Sequence, residues 1–344
     1  MKLTSASVFG LINSFDYSID INTDGITFVH STNGAGKSAF LKLLFSILHG
    51  DLDAAESIPF RRLTVGFDND SMLIVDRKSE GLHIQIQKNE LEEEVSLEEL
   101  ESMKPAVYIP ADRLIVKKRD GRLVYALDAY SKELEDWFLS AKDEAAIDIT
   151  NTDKGIDLGD DEIEHNLRDL KSKVDFMFNS GLRINLPVGL RMPPSRYDIN
   201  KNHDNYLKLT HALERYVHNN YQLAESLDVF RDVVNSFYTN KVLRISNGRI
   251  YIDLRDGTTL PLDSLSSGEK HILIMFYRLL FQAEPGSLVV FDEPEISLHV
   301  SWQQRLGPLL NDICRLRDLQ ILIATHSPQV IHDMWDLANE LKGQ

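Results

Sequence analysis

A glycine-rich loop near the N-terminus carries the residue types that bind phosphate. Residues 31–38 read STNGAGKS. Small residues let backbone N–H groups point inward without Cβ clashes, the lysine can reach terminal phosphates, and the following serine can ligate Mg²⁺. The alternative is that the motif occurs by chance in a loop rich in serine, glycine and lysine and binds no phosphate. The residues assigned to phosphate binding are Asn33, Gly34, Ala35, Gly36, Lys37, Ser38 and Ala39.

The loop departs from the usual pattern at its first position. The pattern G-x-x-x-x-G-K-[ST] begins with glycine, and Ser31 stands there. Serine enters positive-φ geometry at some cost, so the first turn of the loop is expected to differ. A protein that binds nucleotide without hydrolysing it therefore stays an alternative.

Two adjacent carboxylates end an apolar run further along the chain. Residues 287–294 read SLVVFDEP, which predicts a buried strand that delivers Asp292 and Glu293 to its C-terminal end. Asp292 could hold Mg²⁺ directly or through water, and Glu293 could act as general base on an attacking water. Carboxylates at a strand end can also simply begin a turn.

A serine-glycine segment precedes an apolar helix. Residues 264–270 read SLSSGEK, and Ser266, Ser267 and Gly268 would present free N–H groups and hydroxyls at the positive end of that helix. The alternative is a plain N-cap with Glu269 in the first turn.

A histidine ends another apolar strand. Residues 321–328 read ILIATHSP, and His326 follows the run directly. A histidine in this position is commonly a capping or core residue, and a catalytic role is the second interpretation.

The elements around these segments predict how they are positioned. An apolar strand at 27–29 and a helix at 39–45 flank the glycine-rich loop, and the first 45 residues read as strand, turn, strand, loop, helix. The last hundred or so residues alternate strand and helix, with helices expected from Glu269, His299 and Pro328. Such alternation implies a mostly parallel sheet, so both ends of the chain are expected to build one sheet.

Antiparallel strands are predicted in two regions. Residues 63–87 alternate apolar and polar side chains, with turns at 68–70 and 79–81, and a short strand at 106–109 stops at Pro110. Two further strands join at Asn247-Gly248.

The stretch between these regions is helical. It shows helical periodicity and is interpreted as an inserted lobe, with helices too short and irregular for a long coiled-coil arm. The predicted division is 1–128 for the N-terminal part of the main domain, 129–238 for the helical insertion and 239–344 for the C-terminal part.

Composition excludes several classes of protein. Of 344 residues, 43% are hydrophobic and 26% charged, as in a soluble globular protein. The chain lacks an apolar run of about eighteen residues and a signal-peptide core, so no membrane span is expected. A lone cysteine, Cys314, permits neither an intramolecular disulfide nor a thiolate cluster. A cytoplasmic location is expected.

The net charge argues against a protein that coats nucleic acid. It is −16, from 53 acidic and 37 basic residues, and such a chain repels a polyanion at long range. An acidic run at 90–101 is interpreted as a solvated helix or loop. A local basic segment is predicted to be an exposed hairpin with its tip at Asp120-Gly121, and a DNA or partner surface is the alternative. Its basic residues are Arg113, Lys117, Lys118, Arg119 and Arg122.

Taken in order, STNGAGKS, LSSGEK, LVVFDEP, EISLH and ATHS resemble the Walker A, signature, Walker B, D-loop and H-loop motifs of ABC-type ATPases. The resemblance covers roughly residues 1–60 and 240–335. It implies an α/β fold, namely an ABC-type P-loop ATPase with a mixed sheet, an N-terminal antiparallel β subdomain and an inserted helical lobe. ATP and Mg²⁺ are the implied ligands. No convincing Q-loop glutamine is present, and Ile109–Arg113 occupies that region.

Within that superfamily the chain is similar to the RecF, SMC and OLD groups. NGAGKS, IPADR, LSSGEKH, DEPEISLH and ATHSPQVI resemble segments of small AAA-type ATPases of bacterial antiphage defence systems, of the Septu, retron-associated and OLD-like kinds. The resemblance implies a head-to-tail dimer, in which Ser266 and Gly268 of one chain bind the γ-phosphate held by Lys37 of the other. His326 would contact that phosphate within its own chain, and Asn33 would help to position water.

The function expected from the resemblance is a switch ATPase that forms dimers or higher oligomers and controls a separate effector, a nuclease or toxin, in antiphage defence. OLD nucleases continue beyond the histidine motif into a metal-binding domain, whereas this sequence stops at Gln344, so nuclease activity is expected in a partner. The alternative is a RecF-like or SMC-like ATPase of DNA repair or chromosome maintenance. A transporter subunit is disfavoured by the helical insertion and the LSSGEK segment.

Overall fold

The structure is a computed structural model that describes residues 1–341, apart from 33, 89–90, 97–98, 101–104, 118–120, 146–148, 150–155 and the side chains of Glu92 and Lys117. The chain divides into two compact units. The first unit comprises Met1–Arg113 and His271–Gln344, and the second comprises Leu114–Lys270. The three-part division at residues 128 and 238 stays a prediction.

The helices and strands follow one another along the chain with these bounds. The N-terminal part contains β1 (Leu3–Leu11), β2 (Phe15–Asp20), β3 (Ile26–His30), α1 (Lys37–Leu48), α2 (Leu52–Glu56), β4 (Arg62–Phe67), β5 (Met72–Lys78), β6 (Gly81–Lys88), β7 (Leu91–Glu94) and β8 (Ala106–Ile109). The second unit contains β9 (Ile115–Lys117), β10 (Leu123–Tyr125), α3 (Ala126–Glu144), α4 (Asp160–Asn179), α5 (Arg196–Lys201), α6 (His203–Phe237), β11 (Lys241–Ser246), β12 (Arg249–Leu254) and β13 (Thr259–Leu260). Then follow α7 (Ser267–Tyr277), a π-helical turn (Arg278–Gln282), β14 (Leu288–Asp292), α8 (Val300–Leu316), β15 (Gln320–Thr325), α9 (Pro328–Ile331) and β16 (Ala338–Glu340).

A five-stranded parallel sheet forms the centre of the first unit. Its strand order is β16-β3-β15-β14-β8, and each neighbouring pair is parallel. Every residue of β14 and β15 is buried, because strands covered on both faces are apolar throughout. The expectation that both ends of the chain build one sheet is confirmed. The carboxyl ends of β3, β8, β14 and β15 consequently meet along one edge.

An antiparallel sheet with the order β2-β1-β4-β5-β6-β7 completes the first unit. The strands predicted over 63–87 are confirmed as β4, β5 and β6. The first 45 residues contain three strands, one more than predicted, and the additional strand, β2, is partly exposed and pairs with β1 at the edge of the sheet. The acidic run at 90–101 does not lie wholly in a helix or loop. Its residues 91–94 form β7, where pairing with β6 overrides the poor strand propensity of glutamate.

The second unit is mainly helical. α6 is 35 residues long, so the prediction of short helices is wrong for it. Buried residues recur along its whole length and α4 packs against it, and this packing sustains a helix whose sequence pattern is irregular. The hairpin of β11 and β12 turns at Asn247-Gly248, which have φ of 51° and 76° as a two-residue hairpin turn requires.

The predicted basic hairpin is present as the antiparallel pair β9 and β10. Lys118, Arg119 and Asp120 of its tip lie outside the described residues. The helix expected from Pro328 begins there but is only four residues long. In the part of the chain that the structure describes, no helix is both long and apolar enough to cross a bilayer.

Candidate functional site

The glycine-rich loop connects β3 to α1 at the carboxyl edge of the parallel sheet. Gly34 and Gly36 have φ of 82° and 76°, and Gly36 is the N-cap of α1. A Cβ on Gly34 would meet no atom within 4 Å, so space remains beside the backbone there. The first turn, Lys37 to Ala39, contains no acidic residue. The positive end of α1 therefore faces the loop without an anion on its first turn, which suits a phosphate.

Lys37 is buried among neutral oxygens. Its side chain is part of a residue only 4% exposed, and Nζ lies 3.2 Å from the Ser31 carbonyl oxygen, 3.0 Å from Ser31 Oγ and 3.3 Å from the Thr32 carbonyl oxygen. Burial lowers the pKa of Lys37, and the charges of Glu293, Glu295 and Asp292 oppose that shift. Ser31 thus offers two acceptor oxygens to Lys37. Its φ is not positive, so a serine at this position carries no backbone strain, contrary to expectation.

A hydroxyl and a carboxylate meet beside the loop. Ser38 Oγ donates to Asp292 Oδ1 at 2.8 Å, and Tyr108 Oη donates to Asp292 Oδ2 at 2.8 Å. Burial, followed by the neighbouring Asp292, raises the pKa of Tyr108, so its hydroxyl stays protonated as a donor. The oxygen donors of Ser38 and Asp292 are the kind that Mg²⁺ prefers, and the site therefore fits that ion.

His326 lies between the loop lysine and the second carboxylate. Its Nε2 is 3.2 Å from Glu293 Oε1, and its Nδ1 is 3.1 Å from Lys37 Nζ and 3.1 Å from the Ser31 carbonyl oxygen. The backbone N–H of His326 donates to Glu295 Oε1 at 2.7 Å. The tautomer with Nε2–H toward Glu293 leaves Nδ1 as an acceptor for Lys37. The three side chains thus form a continuous polar chain.

The segment after β14 is held by two buried side chains. Arg113 is 1% exposed and donates to the Pro294 carbonyl oxygen at 2.9 Å, and His271 Nδ1 lies 3.0 Å from the Ile296 carbonyl oxygen. Burial lowers the pKa of Arg113 to about 10, against the charges of Glu295 and Asp292. Glu293 has a φ of 48°, a strained value for a residue with a side chain. The buried contacts therefore support a backbone that places Glu293 in an uncommon conformation.

The signature-like segment forms a network inside the second unit. The backbone N–H and the hydroxyl of Ser266 both donate to Glu269 Oε2 at 2.8 Å, and Lys241 Nζ lies 2.8 Å from each carboxylate oxygen of Glu269. This is the capping arrangement that the sequence offered as an alternative. Ser266 and Ser267 are exposed and Gly268 is buried. A cap and a binding role are compatible, because Ser267 begins α7 with its N–H at the helix end.

The structure brings five of the predicted site residues together in the first unit: Lys37, Ser38, Asp292, Glu293 and His326. Gly34, Ala35, Gly36 and Ala39 lie in or beside the same loop, whereas Ser266, Ser267 and Gly268 belong to the second unit. Asn33 lies outside the described residues. The prediction that Arg113 belongs to the exposed basic hairpin is wrong, because the residue is 1% exposed and precedes β9. The site roles of Tyr108 and Glu295 were not predicted. The short strand that stops at Pro110 contains Tyr108, the IPADR segment contains Arg113, and the DEPE segment contains Glu295, so each lies in a segment that the sequence had singled out.

Comparisons with known proteins give one family match that spans most of the chain. Residues 32–332 match the family described as "AAA domain, putative AbiEii toxin, Type IV TA system". The Escherichia coli protein "Retron Ec83 probable ATPase" is 31% identical over 162 residues, which are 41% of this chain and 29% of that protein. "Protein ea59" of Escherichia phage lambda is 33% identical over 99 residues, or 27% of this chain and 19% of that protein. The aligned segments thus span less than a third of these two curated relatives. Among solved structures, the SMC head domain from Thermotoga maritima has a TM-score of 0.45 and 13% identity, covering 98% of this chain and 93% of that one.

Proposed function

The chain belongs to this family of AAA domains, and we propose that it is a Mg²⁺-dependent ATPase of ABC type that works as a molecular switch. The observation that carries the proposal is the continuous chain from Lys37 through His326 to Glu293, next to the Ser38–Asp292 pair. A cation, a hydroxyl–carboxylate pair and a candidate base all lie at the carboxyl edge of a parallel sheet. Phosphoryl transfer requires these groups in one place.

The loop and α1 bind the triphosphate. Lys37 exchanges the neutral oxygens of Ser31 and Thr32 for phosphate oxygens. Its burial lowers its pKa, and the negative charge of a phosphate would stabilise the buried ammonium. The N–H groups of the loop and of the first helical turn add further donors, from Gly34, Ala35, Gly36, Lys37, Ser38 and Ala39. Asn33 is proposed to assist in positioning water.

Ser38 and Asp292 hold Mg²⁺, with Tyr108 orienting the carboxylate from behind. The ion neutralises charge on the phosphate oxygens when bound. Glu293 accepts the proton of the water that attacks the γ-phosphorus, as the bond to the β-phosphate oxygen breaks. His326 fixes the Glu293 carboxylate through Nε2 and contacts Lys37 through Nδ1.

The active form is proposed to be a head-to-tail homodimer or higher oligomer. Ser266 and Ser267 are exposed at the start of α7, and Glu269 and Lys241 hold that start in a capped conformation. Such a rigid, exposed helix N-terminus suits the γ-phosphate bound by Lys37 of a second chain. ATP would then join the two chains and hydrolysis would release them.

The output is proposed to be control of a separate effector, a nuclease or a toxin, in antiphage defence. The similarity to "Retron Ec83 probable ATPase" supports this setting over DNA repair. The net charge of −16 also disfavours a protein whose main ligand is a nucleic acid.

The Glu293→Gln variant tests the proposal. It preserves the shape of the side chain but removes the base, so turnover should fall by about 10²–10⁴-fold while ATP binding remains. The variant should form an ATP-dependent dimer, measured by light scattering after size-exclusion chromatography. Unchanged hydrolysis would refute the catalytic assignment, and a mass independent of ATP would refute the head-to-tail dimer. Glu284→Gln, outside the site, is the matched control.

A further inference from the structure

We propose that the second unit contains a binding pocket for a mononucleotide, built from residues that take no part in the ATP site. A cavity of about 500 Å³ lies within this unit. That volume falls inside the range of roughly 300–1,000 Å³ that is usual for small-molecule sites. Neither the pocket nor its ligand depends on the ATPase assignment.

Four segments of the second unit converge on the cavity: α3, the loop after α4, α6 and the β11–β12 turn. The turn is seated directly on α3, because a Cβ added to Gly248 would lie 2.7 Å from the Glu135 Cα. The loop after α4 is tied to the end of α3 by a hydrogen bond from the Asn185 N–H to the Ala145 carbonyl oxygen, 3.0 Å long. These contacts fix the walls, so the pocket is preformed.

The charge of the lining favours an anion. Lys142, Arg183 and Arg249 line the cavity, against one carboxylate, Glu135. Arg249 is paired with Glu135 at 2.8 Å, and the guanidinium of Arg183 lies 5.5 Å from the centroid of the Phe178 ring. Within the described part of the chain, neither Lys142 nor Arg183 has a carboxylate at ion-pair distance. An excess of positive charge in a cavity of a chain with net charge −16 is a feature that a phosphate group would match.

The wall also contains an unsatisfied hydroxyl. Tyr216 is 2% exposed, and its hydroxyl oxygen is buried without a hydrogen-bond partner among the described residues. Burying a hydroxyl without a partner costs free energy, and a polar group of a ligand would relieve that cost. Burial, with a smaller contribution from Glu144, raises the pKa of Tyr216 to about 12, so the group is a neutral donor.

The remaining lining suits a planar base. The half-buried ring of Tyr251, which has the Arg244 guanidinium 4.6 Å from its centroid, contributes aromatic surface, whereas Phe138 and Tyr216 are more than nine-tenths buried. The amides of Asn185 and Asn247 offer donors and acceptors. Aromatic rings stack on nucleobases regardless of sequence, and side-chain amides can read a base edge. Two cations that have no carboxylate partner among the described residues, beside an aromatic ring and two amides, favour a mononucleotide as the ligand class.

The test uses the full chain carrying Lys37→Ala, which removes the phosphate loop as a competing site. Isothermal titration calorimetry with AMP, GMP, CMP, UMP and inorganic phosphate should show saturable one-to-one binding of at least one nucleotide. Its affinity should exceed that of inorganic phosphate by about tenfold or more, because the base contributes contacts that phosphate lacks. Absence of binding at millimolar concentration, or equal affinity for inorganic phosphate, would overturn the proposal.

Variants in the same background assign the binding to this cavity. Lys142→Ala and Arg183→Ala should each weaken binding by about tenfold, which corresponds to loss of one charge-assisted contact. Lys132→Ala is the control, because it removes an equal charge from α3 outside the lining. Equal loss with Lys132→Ala, or no loss with the two lining variants, would place the ligand elsewhere. A melting curve for each variant verifies that the protein remains folded.

Discussion

The Nε2 atom of His326 lies 3.2 Å from Oε1 of Glu293. The two residues belong to different strand ends, β15 and β14, which are adjacent in the sheet with Asp292 opposite Ala324. Parallel pairing in this register determines their proximity, and a slip of one residue would turn each side chain to the other face. The contact between the proposed base and the histidine is thus a consequence of sheet register.

His326→Ala should lower the turnover number by about 10²-fold while leaving nucleotide affinity within a few fold, since the variant loses orientation of Glu293 but retains Lys37. Steady-state hydrolysis and equilibrium binding of a fluorescent ATP analogue measure the two effects. His165→Ala, an exposed histidine on α4, is the control. If His326→Ala hydrolyses ATP at the unmodified rate, His326 has no role in catalysis.

Lys37→Ala should abolish detectable binding of ATP at the glycine-rich loop, measured with a fluorescent ATP analogue. The side chain supplies the one buried ammonium of the loop, and its loss leaves the triphosphate with backbone donors alone. Lys42→Ala, on an exposed position of the same helix, should bind nucleotide like the unmodified protein. An unaltered affinity of Lys37→Ala for ATP would refute the assignment of residues 31–38 as the phosphate-binding loop.

Tyr108→Phe should weaken Mg²⁺ affinity in the presence of nucleotide by about 10–100-fold, because a hydrogen bond that orients the Asp292 carboxylate disappears. Titration of Mg²⁺ against ATP hydrolysis measures the change, and Tyr125→Phe on an exposed strand is the control. Identical Mg²⁺ dependence in Tyr108→Phe would mean that Asp292 needs no support from the tyrosine.

Lys241→Met should reduce turnover and lower the free energy of unfolding by about 1–2 kcal/mol, since Glu269 loses a charge-assisted partner in a mostly buried position. Urea denaturation measures stability. Arg244→Met is the control on the same strand, because its pair with Asp253 is half-exposed and contributes little. If turnover is unchanged although stability falls, the capping network is structural and has no influence on the signature segment.

The contact between α4 and α6 should depend on pH through His203. The hydrogen bond that Nδ1 of His203 donates to Oδ1 of Asp160, 2.6 Å long, raises the pKa of His203 above its ordinary value of 6.5. A raised pKa contributes stability that is complete below pH 6.5 and is lost as the pH rises through the folded-state value. The melting-temperature difference between the unmodified protein and His203→Gln should therefore be larger at pH 5.5 than at pH 8.5. An equal difference at both pH values would contradict this assignment.

Much of the first unit could be predicted from sequence because each site residue follows an apolar run. Such runs predict buried parallel strands, and the carboxyl ends of parallel strands meet, so Lys37, Asp292, Glu293 and His326 could be expected in one place. The roles of Tyr108 and Arg113 could not be predicted. The contact of Tyr108 with Asp292 depends on the pairing of β8 with β14, and Arg113 donates to the carbonyl of Pro294, 181 residues further along the chain.

Local signals also failed where tertiary packing decides the outcome. The strand β7 is made mostly of glutamate, and its pairing with β6 is invisible to residue propensity. The long α6 is maintained by burial against α4, although its heptad pattern is irregular. The role of Ser266–Gly268 stays a prediction, since it concerns a second chain.

The placement of β3 between β15 and β16 has a consequence for synthesis on the ribosome. Both neighbours of β3 lie about 290 or more residues further along the chain, so this apolar strand emerges long before either partner exists. Translation proceeds at roughly 5–20 residues per second, and the wait therefore lasts tens of seconds. Throughout that interval the nascent loop around Lys37 has neither Asp292 nor His326 beside it. Vectorial synthesis thus delays assembly of the edge that carries the proposed site until β15 has been translated.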